Sequence, residues 1–103
     1  MKLSNMMKQV QQIQEKMARV QEELGEKTVQ ADAGGGMVEV VANGKQEIIS
    51  VKISPEAVEL GDTPMLEDLI TSAVNEALRS SKTLLQEELS KITGGVRIPG
   101  INM

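Results

Sequence analysis

Residues 3–24 read LSNMMKQVQQIQEKMARVQEEL, and within them Leu3, Met6, Val10, Ile13, Met17, Val20 and Leu24 recur at alternating spacings of three and four. An apolar period of 3.5 is a heptad seam, narrower than the stripe with which a helix usually faces a globular core. The stretch predicts a helix of about 33 Å packed against another long helix, in the same chain or in a partner. A chain of 103 residues has few other segments long enough to cover it. This is a sequence built for extended helical packing and not around a pocket.

Working outward, Gly25 ends the helical pattern and the period changes. From Lys27 to Ala33, Val29, Ala31 and Ala33 alternate with Thr28, Gln30 and Asp32, which predicts a strand. Gly34-Gly35-Gly36 has neither a following helix signal nor a Lys-Ser/Thr pair, so it reads as a turn and not a phosphate loop. Val38, Val40 and Ala42 then alternate with Met37, Glu39 and Val41. Asn43-Gly44 is a strong hairpin signal, predicting a type I′ turn. The returning strand covers roughly Gln46 to Ile53, with Ile49, Val51 and Ile53 on one face and Ser50 and Lys52 on the other. Three strands in this order make an antiparallel meander with one apolar face.

Ser54-Pro55 punctuates the sheet and predicts a single helical turn through Leu60, ended by Gly61. A second long helix follows, with Thr63 as N-cap, Pro64 at the first helical position, and Glu67 and Asp68 complementing its positive end. Its stripe is Leu66, Leu69, Ile70, Ala73, Val74, Ala77, Leu78, Ser81, Leu84, Leu85, Leu89 and Ile92. At ~1.5 Å per residue it approaches ~45 Å. Gly94-Gly95 stops it. Residues 1–93 are thus expected to form one domain, with 94–103 a mobile tail. The fold class is α+β: long helix, three-stranded antiparallel meander, long helix. So small a sheet leaves the helices projecting as arms, paired with each other or with a second copy.

Composition narrows the function. Apolar residues make up an ordinary 40% of the chain, but there is no Phe, Trp or Tyr. Aromatic rings bring the largest buried areas, so the core is thin, and so small a domain gains from association. A homodimer is expected. With no Cys and no His, thiol and imidazole chemistry, disulfides and zinc-finger spacings are excluded. No EF-hand-type loop is present, and no cofactor or metal is expected. Ser80-Ser81-Lys82 has the composition of a Ser–Lys nucleophile pair, but polar residues on a solvated helix face are the simpler reading. No enzyme is indicated. The first ten residues lack a signal-peptide run and nothing approaches a membrane span, so a cytoplasmic protein is expected.

Charge is unevenly spread. The chain carries −4, yet residues 1–19 hold Lys2, Lys8, Lys16 and Arg19 against Glu15 alone, a net of +3 that leaves −7 for the rest. On the heptad, Lys2, Gln9 and Lys16 share one flank, while Lys8, Gln12 and Arg19 lie near another. The glutamine amides at 9, 11, 12 and 14 can donate to phosphates or base edges. Arg79 and Lys82, a turn apart on the second long helix, extend the candidate surface, diluted by Glu76. Flank cations are also what any soluble coiled helix displays. Met6, Met7 and Met17 read as seam filling ahead of an adaptable binding surface.

The run Met7-Lys8-Gln9, Gln11-Gln12 and Gln14-Glu15-Lys16-Met17 through Val20-Gln21-Glu22-Glu23-Leu24 resembles the first helix of the YbaB/EbfC nucleoid-associated proteins of bacteria. Gly36-Met37-Val38-Glu39-Val40, Asn43-Gly44, Val51-Lys52-Ile53-Ser54-Pro55, Met65 to Ile70 and Ala73 to Ala77 follow in the family's order. The sequence departs where the family usually has Asp-Pro in place of Ser54-Pro55, and its tail lacks aromatics. The resemblance implies a tweezer-like homodimer whose arms straddle double-stranded DNA, organising the nucleoid and affecting gene expression. It implies no membrane and no small-molecule substrate. It does not say which residues touch DNA; Lys8, Lys16 and Arg19, with Lys2, Arg79 and Lys82 behind them, are candidates by charge and position. The competing reading is a helical-clamp chaperone or adaptor gripping protein clients, which the net negative charge suits.

Overall fold

The computed structural model describes residues 2–93, in the order α1 (Lys2–Glu26), β1 (Thr28–Ala33), β2 (Val38–Asn43), β3 (Ile48–Ile53), α2 (Pro55–Glu59) and α3 (Thr63–Thr93). The expected stop at Gly94-Gly95 and the expected tail at 94–103 lie outside the described residues. Gly25 does not break the first helix, which runs on to Glu26 and closes with the Lys27 amide donating to the Glu23 carbonyl at 3.0 Å.

The three strands form one antiparallel sheet with β2 in the centre. Ala31 stands opposite Val40 and Ala33 opposite Val38, while Val51 and Ile53 stand opposite the same two residues from the other side. Cross-strand partners point to one face, so all six belong to the apolar side. The helix α3 crosses that side over β1 and β2. Ala73 and Ala77, fully buried, let its backbone come close to Val38, Val40 and Ala42. The apolar row of β3 is left out, and at its start it is not the expected one: a register shift at Val41/Ala42 sets Ile48, and not Ile49, opposite Ala42, and Ile48, Val51 and Ile53 are 39, 42 and 37% exposed. The sheet has the single apolar face expected of it, and one chain covers only two strands of it.

The hairpin between β2 and β3 is not the expected type I′ turn. Among the described non-glycine residues only Gln46 has a positive φ, +65°, and Gly44 does not share it. The Gln46 amide donates to the Asn43 carbonyl at 3.2 Å and the Asn43 amide to the Glu47 carbonyl at 3.0 Å. Asn43 Oδ1 accepts from the amides of Lys45 and Glu47 at 2.9 and 3.0 Å. This is a turn followed by one left-handed residue, the three-residue hairpin in which glycine usually takes the last place. Replacing Gln46 with Gly should therefore stabilise the protein by about 0.5–1 kcal/mol, since an L side chain in that region is strained. Urea denaturation at constant m-value would read the gain.

Helix ends follow their side chains. Ser54 caps α2, its hydroxyl accepting from the Ala57 amide at 3.2 Å, with Pro55 in the first turn. For α3 the cap is Asp62 and not Thr63: Asp62 Oδ1 accepts from the Met65 amide at 3.0 Å, and Thr63 is already helical. A carboxylate satisfies the free amide and the positive helix end together. Glu67 and Asp68 consequently fall in the second turn. Ser81 is no solvated residue; it is fully buried, and its hydroxyl donates to the Asn43 carbonyl at 2.6 Å, tying α3 to the end of β2.

Candidate nucleic-acid interface

The root of α1 is fixed at one corner of the sheet. Leu24 is 1% exposed against Gly44, whose amide donates to the Leu24 carbonyl at 2.8 Å and to the Lys27 carbonyl at 3.0 Å. Leu24 and Leu85 line one crevice with Gly44. Lys27 Nζ donates to Glu88 Oε1 at 2.6 Å, and Lys91 approaches the same oxygen at 3.3 Å. These contacts set Leu24 level with the part of α3 just beyond the sheet.

From that root α1 points outward. The molecule is 70 Å long and 16 Å thick at its thinnest. With α3 supplying about 45 Å, the remaining ~25 Å must come from α1 extending antiparallel to α3 and past its end. At 1.5 Å per residue, Val20 falls level with Leu89 and Met17 with Ile92. Exposure follows this geometry: Met17 and Val20 are half-buried, while Ile13, Val10, Met6 and Leu3 rise from 52 to 71%. The heptad seam is thus covered by the same chain only over its last two turns. The rest is a projecting arm.

The arm carries the cations. Lys2, Lys8, Lys16 and Arg19 are all exposed on α1, and among the described residues none of them enters an ion pair. The two heptad flanks of the sequence reading are neighbours on the helix. At ~100° per residue the four cations fall within an arc of about 120°, beside the apolar row, over an axial span of ~26 Å. Arg79 and Lys82 are exposed on α3, about 12–17 Å nearer the sheet than Arg19. Arg79 is further occupied by Glu76, whose Oε2 accepts from Nη2 at 2.6 Å and from Nε at 3.1 Å. The fold therefore gathers four of the six candidates and sets two apart.

Two groups that sequence reading missed hold the arm in place. Glu88, which no sequence pattern singles out, has a side chain only 8% exposed. Hydrogen bonding from Lys27, helped by Lys91, holds its carboxyl below the usual glutamate value, and the same bond raises Lys27 above the usual lysine value. Sixty-one positions separate the partners, so no local pattern links them. The acid's contribution to stability exists above the ordinary carboxylate range and fades as pH falls through the lowered value. The lysine's exists below the ordinary lysine range and fades as pH rises through the raised value. Glu88→Gln should accordingly lower the melting temperature most between about pH 5 and pH 10, with the difference from wild type closing outside that window. A difference independent of pH would exclude the ion pair as its source.

The sequence profile of the YbaB/EbfC DNA-binding family matches residues 1–96. The chain belongs to that family. Among curated relatives, the nucleoid-associated protein of Thermoanaerobacter pseudethanolicus is 52% identical over 99 residues, covering 96% of this chain and 89% of the relative. That of Desulforamulus reducens is 57% identical over 99 residues, covering 96% and 94%. An uncharacterized protein of Helicobacter pylori, known from its crystal structure, superposes with a TM-score of 0.79 over 88% of this chain and 96% of that one. At 20% identity that likeness speaks for the fold alone. In this YbaB/EbfC chain, the basic arc therefore sits on a helix that the common fold itself projects from the sheet.

Proposed function

We propose that this chain is a nucleoid-associated protein of the bacterial cytoplasm that binds double-stranded DNA as a homodimer, with a binding role and no catalytic one. The observation that carries the reading is the match of the DNA-binding family over residues 1–96, and the exposed cations of the projecting α1 arm supply its chemistry. The dimer closes through β3: Ile48, Val51 and Ile53 continue the apolar side of the sheet beyond the cover of α3, and a two-fold mate placing its own β3 there buries the same row twice. Two arms then stand on a common base. Lys8, Lys16 and Arg19 engage phosphates, with Lys2 at the arm tip and Arg79 and Lys82 as weaker outlying contacts. The remainder of the chain, at −7, faces away from the duplex. Such a balance gives weak, salt-labile binding with little sequence preference.

The test is equilibrium binding to an end-labelled duplex of about 30 base pairs across a salt series, with light scattering to fix the protein mass. The expected result is a species of twice the 11.1 kDa chain mass, whose log affinity falls linearly with log salt. A stable dimer that leaves DNA free even at ~50 mM salt would overturn the proposal. Salt-insensitive suppression of aggregation of an unfolded protein would then favour the helical-clamp chaperone.

A further inference from the structure

The heptad seam of α1 is filled only as far as α3 reaches. Met17, Val20 and Leu24 pack against α3, while Ile13, Val10, Met6 and Leu3, 52 to 71% exposed, leave about 15 Å of the seam open. Apolar residues at strict heptad spacing accept knobs from a second helix. The sense of that helix is already set in the covered half, where α3 runs antiparallel to α1. A second α1 laid antiparallel on the open half continues the same packing along the same seam.

The register is self-complementary. With a two-fold axis at the level of Lys8, Leu3 of one copy meets Ile13 of the other, and Met6 meets Val10. Every apolar residue of one open row then has a mate in the other, and both rows are filled over their whole length. On one flank Met7, 60% exposed outside the row, meets Met7 of the other copy across the axis. On the other flank Gln9 meets Gln9, and two carboxamides can each donate to and accept from the other. Lys2 faces Lys16 at the two rims. That like-charged pair is the one unfavourable contact, and it lies in solvent, where salt or a polyanion screens it.

We propose that the open stretch of α1 docks antiparallel onto the same stretch of a second molecule, tip over tip. Each arm points away from its own sheet, so the two sheets lie at opposite ends of the pair. Leu24 stands about 24 Å from the axis, which sets the two roots about 48 Å apart. Two subunits sharing one base at β3 cannot meet in this way, so the contact joins separate molecules. Lys8 and Arg19 point away from the row, on the far side of the helix, and stay free. Two heptads make a small, transient interface, which fills when arms are held at high local concentration. The contact requires neither DNA binding nor the β3 dimer.

The chain has no native cysteine, so single exposed cysteines report the register. Mild oxidation of a mixture of full-length Met6→Cys and Val10→Cys proteins should link the two variants to each other, identified as a mixed disulfide peptide by mass spectrometry. Either variant alone should link several-fold more slowly. Equal linkage in each variant alone would overturn the proposal, and so would a mixture that stays reduced. Adding Lys16→Glu to both proteins sets a carboxylate against Lys2 of the mate, and should speed mixed linkage several-fold at low salt without any DNA. An unchanged or slower rate would count against this register. Light scattering keeps the test independent of disulfide geometry. Wild-type mass should rise with protein concentration, while Leu3→Ser with Ile13→Ser, both at exposed positions, should hold the mass that wild type shows when dilute. The same rise in both proteins would overturn the contact, whatever either protein does with DNA.

Discussion

Replacing Lys8, Lys16 and Arg19 together with Gln should reduce the slope of log affinity against log salt by about 2.7 per arm, at ~0.9 for each phosphate no longer neutralised. With both arms of a dimer on one duplex, the reduction approaches about five. At ~0.1 M salt even one arm's neutralisation lowers affinity by more than two orders of magnitude. The fold should not notice: the three side chains are exposed and, among the described residues, free of ion pairs, so stability should move by no more than about 0.5 kcal/mol. That separation gives the experiment its force. An unchanged slope in a folded triple variant would remove the arm from the interface. Arg79→Gln is the natural contrast, because its guanidinium is already engaged by Glu76. It should change the slope by less than any one of the three arm cations does.

The second large effect lies at the arm's root. A Cβ on residue 44 would stand 2.6 Å from Leu24 Cδ2 and 2.9 Å from the Leu24 carbonyl oxygen. The side chain can turn aside, but the oxygen cannot, because the amide of the same residue 44 is hydrogen-bonded to it. Gly44→Ala must therefore push α1 away from the hairpin, costing about 2–3 kcal/mol as an overpacked core position. For a domain of this size that lowers the melting temperature by roughly 10–20 °C. Leu24→Ala at the same contact should cost ~2–5 kcal/mol through the cavity it leaves. The two should be non-additive, since the smaller side chain removes one of the clashes and leaves the one with the carbonyl. A destabilisation below ~0.5 kcal/mol in Gly44→Ala, within the range of ordinary surface substitutions, would mean that the arm is loosely seated.

Much of this was legible in the chain because it is local. The heptad in α1, the alternation in β1 and β2, the Ser54-Pro55 cap and the stripe of α3 are properties of neighbouring residues, and each element formed where its pattern lies. The charge asymmetry of residues 1–19 needed only counting. Where reading failed, the deciding partner was distant. Asn43-Gly44 was rightly a hairpin signal, but Gly44 is required by the Leu24 carbonyl twenty positions away and not by a positive φ. Glu88 carries no local signal, and its partner Lys27 is brought to it only by the fold. Asp62 displaced Thr63 as the cap because its carboxylate reaches the Met65 amide.

By itself, then, the sequence determined the elements, their order and the sign of the charge on the first helix, because periodicity, caps and charge act over a few residues. It also carried the family, through ordered blocks spread along most of its length. Only the tertiary structure decided which part of the heptad seam is covered, that four cations share one projecting arc while Arg79 and Lys82 stand apart, and that β3 is left bare. Those outcomes depend on where α3 ends relative to α1 and on which strands it crosses. Pairings between residues far apart in the chain, such as Lys27 with Glu88 and Asn43 with Ser81, fix that placement, and no local spacing encodes it.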